Sequence, residues 1–206
     1  MTTGMLETLK KYWGYDSFRP MQAEIISEAL AGRDVLAILP TGGGKSVCFQ
    51  VPAMMRSGIC LVVSPLIALM KDQVQNLRDR GIPALAVYSG MTWREIDIAL
   101  DNAVYGDYKF LYVSPERLRT EVFQTRLSRM DVSYIVVDEA HCISQWGYDF
   151  RPDYLVIADI RKIVGKEVPV IALTATATPE VAGDIVERLG FRKPNVLTGD
   201  FARPNL

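Results

Sequence analysis

Six short apolar runs punctuate the chain: Val35–Leu39, Ile59–Val63, Ala84–Val87, Phe110–Val113, Tyr134–Val137 and Val168–Leu173. Their apolar residues are mostly consecutive rather than alternating with polar ones. A strand with one wet face alternates and a strand covered on both faces does not, so these runs predict a parallel sheet enclosed by helices. The stretches between them carry helix signals. Ser64-Pro65, Ser114-Pro115 and Thr178-Pro179 each offer a hydroxyl at N-cap and proline at N1. Thr92 with Glu95 spells a capping box. Gly32, Gly58, Gly81 and Gly190 each follow a helical stretch, where a left-handed C′ residue belongs. Such alternation predicts an α/β fold with a doubly wound, mostly parallel sheet and helices on both faces. No repeat, low-complexity segment or linker interrupts it, so residues 1–206 read as one domain. A chain of that length buries roughly 70% of its unfolded surface and needs no disulfide or metal staple.

Composition narrows the function by exclusion. The formal net charge is -1, so a nucleic-acid site here has to be a local patch. The three cysteines, Cys48, Cys60 and Cys142, are odd in number and contain no CxxC pair, which fits reduced cytosolic thiols. His141 is the only histidine, which excludes His-rich metal sites and any Ser-His or Cys-His triad elsewhere. No run approaches eighteen consecutive apolar residues, so no membrane span is expected.

Ligands of doubly wound sheets sit beyond the carboxyl ends of the strands. The first loop to consider there is Leu39-Pro-Thr-Gly-Gly-Gly-Lys-Ser46. Gly42, Gly43 and Gly44 let the backbone fold around an anion without a Cβ in the way. The helix that follows adds its dipole and free N–H groups. Lys45 reaches toward β- and γ-phosphates and the Ser46 hydroxyl toward Mg²⁺. Leu39 stands where the strict P-loop pattern has its first glycine. The plainer alternative is a glycine-rich turn before a surface helix, which Gly-Lys-Ser between a buried strand and a helix disfavours.

A second apolar run ends in Asp138-Glu139-Ala-His141. This places two carboxylates at the sheet edge that carries the glycine loop. Asp138 suits Mg²⁺, held through water. Glu139 suits orienting and deprotonating the water that attacks a γ-phosphate. Acidic residues also finish strands as solvated ends, so it is the pairing with the glycine loop that carries this reading. His141 is either a hydrogen-bonded core histidine or a signalling residue beside the site.

Several further blocks resemble one family, the RecQ helicases of superfamily 2. The form Thr41-Gly42-Gly43-Gly44-Lys45-Ser46 is similar to the P-loop of superfamily 2. Trp13-Gly-Tyr-Asp-Ser-Phe-Arg-Pro-Met-Gln22 resembles the family's motif 0. That likeness implies that Tyr15 stacks on adenine while Arg19 and Gln22 contact the nucleotide; from the residues alone, the segment reads as a helix start with Pro20 at N1. Val62–Gln73, Tyr112–Arg117 and Leu173–Thr178 resemble motifs Ia, Ib and III. Motif III links hydrolysis to DNA in that family, although its hydroxyls equally suit caps and turns. Cys142–Tyr154 looks like the aromatic-rich loop that marks RecQ enzymes. Its Trp146, Tyr148, Phe150 and Tyr154 supply π-faces and Arg151 a cation, the mixture of a single-strand platform, or else an aromatic mini-core. Tyr148 stands where many relatives have histidine.

The resemblance implies a single RecA-like P-loop domain, the first motor domain of an ATP-dependent DNA helicase, with ATP and Mg²⁺ as cofactors. Lys45, Asp138 and Glu139 would be catalytic, Ser46 and Asp138 metal-binding, and Trp146, Phe150, Arg151 and His141 would couple the site to single-stranded or partly duplex DNA. Residues 200–206, ending in Phe201–Leu206, resemble the start of the connection to a second RecA-like domain that carries the arginine finger. A monomeric domain, weakly active alone, in the cytoplasm or on the nucleoid is the corresponding expectation. A nucleotide kinase is the competing enzyme class, but nothing resembles an acceptor lid. A nucleotide-dependent binding module is the non-enzymatic alternative.

Overall fold

Seven parallel strands form one sheet in the order β3-β4-β2-β5-β6-β1-β7. They are β1 (Val35–Ile38), β2 (Ile59–Val63), β3 (Ala84–Val87), β4 (Phe110–Val113), β5 (Val132–Val137), β6 (Val170–Thr174) and β7 (Val196–Thr198). The helices are α1 (Thr2–Trp13), α2 (Gln22–Leu30), α3 (Lys45–Met54), α4 (Ile67–Asp79), α5 (Trp93–Tyr105), α6 (Glu121–Leu127), α7 (Ile157–Val164) and α8 (Pro179–Arg188). The computed structural model describes residues 2–199; the expected connecting segment 200–206 lies outside the described residues.

Strand geometry explains the continuous apolar runs. Successive side chains point to opposite faces of a strand, and both faces of this sheet are covered. Val35, Ala37, Cys60, Val62, Tyr134 and Val136 pack under α2, α3 and α4. Their neighbours Leu36, Ile38, Leu61, Val63, Ile135 and Val137 pack under α5 to α8. Met5 and Leu9 of α1 form an outer layer on Ile26 of α2 and Val47 and Val51 of α3. The doubly wound expectation therefore holds, with every described strand pair parallel.

Local signals fared unevenly. The Thr92–Glu95 capping box forms, and Thr178 Oγ1 accepts from the Val181 N–H at 3.3 Å. Ser64, by contrast, is buried three residues before α4, whose N-cap is Leu66. Ser114 starts a 3₁₀ turn, Pro115–Arg119, without a side-chain cap. Gly32, Gly81 and Gly190 adopt the left-handed C′ conformation. Gly58 is also left-handed but lies beyond the C-cap Met55, where a Cβ would come within 2.6 Å of the Asp131 carbonyl oxygen. Pro20 is not at N1, because α2 begins at Gln22 after a left-handed Met21. The short edge strand β7 was not anticipated; its residues are exposed or half-buried and carry little apolar pattern.

At the opposite, amino-terminal edge of the sheet, the buried Asp34 carboxylate accepts from Arg161 at 2.7 and 2.8 Å and from the Val170 and Arg192 N–H groups. This pair fastens the bottom of the sheet, away from the loops described next.

Candidate nucleotide site

The loop after β1 turns through two left-handed glycines, Gly42 (φ 81°) and Gly44 (φ 73°), before entering α3 at Lys45. Gly44 is also fixed by crowding, since a Cβ there would lie 2.3 Å from the Gln22 side-chain nitrogen. The first N–H groups of α3 lack intrahelical acceptors, and no side chain caps them.

The segment before α2 braces this loop. The Arg19 guanidinium donates to the Gly42 carbonyl at 2.6 Å, and Gln22 Nε2 donates to the Gly44 carbonyl at 3.0 Å. Gln22 Oε1 accepts from the Arg19 N–H at 2.8 Å. One N–H and one lone pair of the buried Gln22 amide remain free. Tyr15 is exposed and, with Trp13, Ser46 and Gln50, lines a small cavity of about 180 Å³ beside α3.

Asp138 directly follows β5, next to this loop. Its N–H donates to the Val63 carbonyl, and its Oδ1 accepts from the Glu139 N–H at 3.0 Å. A cavity of about 330 Å³ is lined by Thr41, Gly42, Gly44, Lys45, Ser46, Asp138 and Glu139, together with Leu69 and Gln73 of α4. Burial, then the neighbouring Glu139 charge, push the Asp138 carboxyl up to about 6, with Lys45 opposing. A buried carboxylate beside Glu139, lining one cavity with the Ser46 hydroxyl, fits a cation-binding site. Glu139 is strained into the left-handed region (φ 49°), one of two non-glycine residues with positive φ among those described. Such strain concentrates at functional positions.

His141 joins this cavity to the loop beyond it. Its Nδ1 lies 2.8 Å from Thr174 Oγ1 and 3.4 Å from Glu139 Oε2. Thr174 donates its only hydroxyl proton to the Thr176 carbonyl at 3.1 Å, so it accepts from His141, and the imidazole proton sits on Nδ1. Burial lowers the His141 pKa and the Glu139 charge opposes it, which favours a neutral ring. The core and signalling readings of His141 are thus compatible: it is buried, and it touches both Glu139 and the Leu173–Thr178 block.

The aromatic loop divides into two parts. Trp146 and Tyr148 are each 78% exposed, and Tyr148 stacks on His141 at 4.5 Å. They flank a second cavity of about 540 Å³ with His141, Thr176, Ala177 and Thr178. Phe150 is half-buried, and Arg151 pairs with Asp149 at 3.3 Å. Tyr154 belongs to the core, fully buried with its hydroxyl donating to the Asp138 carbonyl at 2.8 Å. It therefore supplies no π-face to a ligand, because the 3₁₀ turn Pro152–Val156 packs against Pro115–Arg119 and Ala140–Ile143 with the Tyr154 ring in the core.

The geometry joins a glycine cradle, a lysine and paired carboxylates in one cavity. The sequence profile described as DEAD/DEAH box helicase matches residues 19–185. The chain belongs to the DEAD/DEAH box helicase family. This helicase domain is 44% identical to ATP-dependent DNA helicase RecQ of Pasteurella multocida (strain Pm70), over 98% of the chain and 32% of that protein. Identity is also 44% with the probable ATP-dependent DNA helicase RecS of Bacillus subtilis (strain 168), over 99% of the chain and 41% of that protein. The helicase domain thus spans roughly a third to two fifths of these curated relatives. Among solved structures it resembles the Pyrococcus furiosus Hef helicase domain at 25% identity and TM-score 0.72, covering 91% of this chain and 39% of that one. The fold also matches the DEAD-box helicase Mss116 bound to ssRNA and UDP-BeF at 20% identity and TM-score 0.74, covering 98% and 44%. No helix among the described residues is long and apolar enough to cross a membrane.

Sequence reasoning missed the hydrogen-bonded chain that reaches this site from the sheet. The Tyr112 hydroxyl donates to Gln73 Oε1 at 2.7 Å and accepts from Gln50 Nε2 at 3.2 Å. A buried tyrosine and two glutamines at unrelated spacings give no pattern to read.

Proposed function

We propose that the chain is the first RecA-like motor domain of a RecQ-type DNA helicase, binding and hydrolysing Mg-ATP and coupling that reaction to single-stranded or partly duplex DNA in repair and recombination. The observation that carries this reading is the single cavity shared by Lys45, Ser46, Asp138 and Glu139. Lys45 and the N-terminus of α3 hold the phosphates, with Thr41 to Gly44 forming the cradle. Ser46 and Asp138 would hold Mg²⁺, which supplies charge neutralisation on the phosphates when bound. Glu139, 3.4 Å from His141, orients the attacking water and takes its proton. Tyr15, Arg19 and Gln22 flank α3 on the base side.

His141 carries the state of Glu139 to Thr174 and to the loop bearing Trp146, Phe150 and Arg151, where DNA stacks and pairs. A second RecA-like domain supplies the arginine finger, a contribution of roughly 10³–10⁵ in rate in such enzymes. The protein works in the cytoplasm or on the nucleoid, and this domain is monomeric. Replacing Glu139 with Gln tests the assignment. The variant should bind Mg-ATP as wild type does, while its slow turnover falls about a hundredfold; unchanged turnover would remove Glu139 from the mechanism.

A further inference from the structure

The chain Gln50–Tyr112–Gln73 spans three elements. Gln50 stands on α3, the helix that begins at Lys45; Tyr112 stands on β4; Gln73 stands on α4. Gln50 and Tyr112 are buried, at 5% and 1% exposure, so neither has water as an alternative partner. Burial raises the Tyr112 phenol far above its ordinary value, so the hydroxyl keeps its proton and acts as a donor throughout the physiological range. Gln73 is half-buried and lines two cavities: the one with Lys45, Asp138 and Glu139, and the one with Tyr15, Ser46 and Gln50.

With Oε1 held by Tyr112, the Gln73 Nε2 has no hydrogen-bond partner among the described residues. A fixed carboxamide at the junction of two cavities is well placed to donate to an anionic or carbonyl acceptor. Its orientation depends on α3 through a buried hydrogen bond from Gln50 to Tyr112 and a partly buried one from Tyr112 to Gln73, and polar chains of this kind are costly to break at the buried link. The N-cap of α4, Leu66, and Leu69 in its first turn are exposed, so a shift of this helix reaches the surface.

We infer that Gln73 is a positioning residue of the phosphate site, held by Tyr112 and Gln50 so that the position of the phosphate-binding helix is transmitted to α4. The inference rests on the nucleotide-site reading and extends it to a residue outside the glycine loop and the carboxylate pair. The transmission needs no bond to break, only a change in the distance between α3 and α4 sensed through Tyr112.

Tyr112→Phe keeps the ring and removes the link. The 206-residue chain should be compared with this variant, with Gln73→Ala and with the double variant. Binding of ADP and of a non-hydrolysable ATP analogue with Mg²⁺ is measured alongside backbone hydrogen exchange of residues 67–79. In wild type, the ATP analogue should slow exchange across α4 more than ADP does. Both single variants should still bind nucleotide but lose about fivefold of the preference for the triphosphate, and the added α4 protection with it. The double variant should be no worse than Gln73→Ala, because the two residues act in series.

A purely structural role predicts otherwise: Tyr112→Phe would melt at lower temperature while nucleotide preference and α4 protection stay at wild-type values, and that result overturns the inference. Should Tyr112→Phe fail to fold, Gln73→Ala decides alone by the same two readouts. A wild-type chain that binds neither nucleotide would overturn the site reading itself, and this inference with it.

Discussion

His141 Nδ1 donates to Thr174 Oγ1 across 2.8 Å, tying the turn after the paired carboxylates to the end of β6. The same nitrogen lies 3.4 Å from Glu139, so the imidazole has a second acceptor within reach. Thr174→Val removes the first acceptor and should turn the ring toward Glu139. Stability should fall by about 1 kcal/mol, the net worth of one hydrogen bond, since Glu139 takes over as acceptor. ATP turnover should fall while nucleotide affinity is kept, because Glu139 is then held away from water. Thr174→Ser should restore turnover; equal turnover in Thr174→Val and wild type would detach this link from catalysis.

Asp138 carries a pH signature. Its carboxyl rises from 3.8 to about 6 on folding, through burial first and Glu139 second. Between pH 4 and 6 the folded chain therefore binds a proton that the unfolded chain has released. Stability falls as pH rises through that window, and the deficit is complete above it. One pKa unit being about 1.4 kcal/mol, Asp138→Asn should stabilise the nucleotide-free domain by up to about 3 kcal/mol at pH 7–8 and by nothing below about pH 4. Denaturant melts across pH check this, and Mg²⁺ should raise the stability of wild type but not of the variant.

The Gln22 amide holds the Gly44 carbonyl and accepts from the Arg19 N–H, and the proposed nucleotide reading gives its remaining donor and acceptor to the base. Gln22→Ala should weaken ATP binding and relax the preference for ATP over GTP, since a site built to pair one base edge loses discrimination when the pair is removed. Competition binding with GTP measures it. An unchanged ATP-to-GTP ratio with weaker overall binding would confine Gln22 to bracing the loop.

Sheet, helix faces and cradle were legible because each rests on a short-range rule. Continuous apolar runs need two covered faces, and Gly42 and Gly44 meet a left-handed turn before Lys45. Where the rules failed, tertiary contacts had decided the matter. Ser64 reads as a cap but is buried behind α4, and Gly58 reads as a helix stop but makes room for the Asp131 carbonyl. Tyr154 could not be told from Trp146 by residue type, although one is core and the other exposed. The Asp34–Arg161 pair joins residues 127 positions apart, and the Gln50–Tyr112–Gln73 chain joins three elements; no local pattern encodes either.

Within the aromatic loop, packing separates two kinds of substitution. Trp146→Ala removes an exposed ring and should change stability by less than about 0.5 kcal/mol. It should also weaken single-stranded DNA binding by about 1–3 kcal/mol, the worth of one stacked base. Tyr154→Phe should do the reverse, destabilising the domain by about 1 kcal/mol through loss of the bond to the Asp138 carbonyl while DNA binding is kept. Thermal melts beside oligonucleotide titrations distinguish the two. A destabilised Trp146→Ala with normal DNA binding would make the exposed part structural as well.

The shared cavity of Lys45, Ser46, Asp138 and Glu139 is tested most directly by titrating a fluorescent ATP analogue into the 206-residue chain with and without Mg²⁺, beside Lys45→Ala. Wild type should bind in a Mg²⁺-dependent manner. Lys45→Ala should keep the fold and lose roughly 3 kcal/mol of binding, on the scale of one preorganised contact to developing or full negative charge. Equal affinity in both proteins, or binding indifferent to Mg²⁺, would contradict the assignment of this cavity to a magnesium nucleotide.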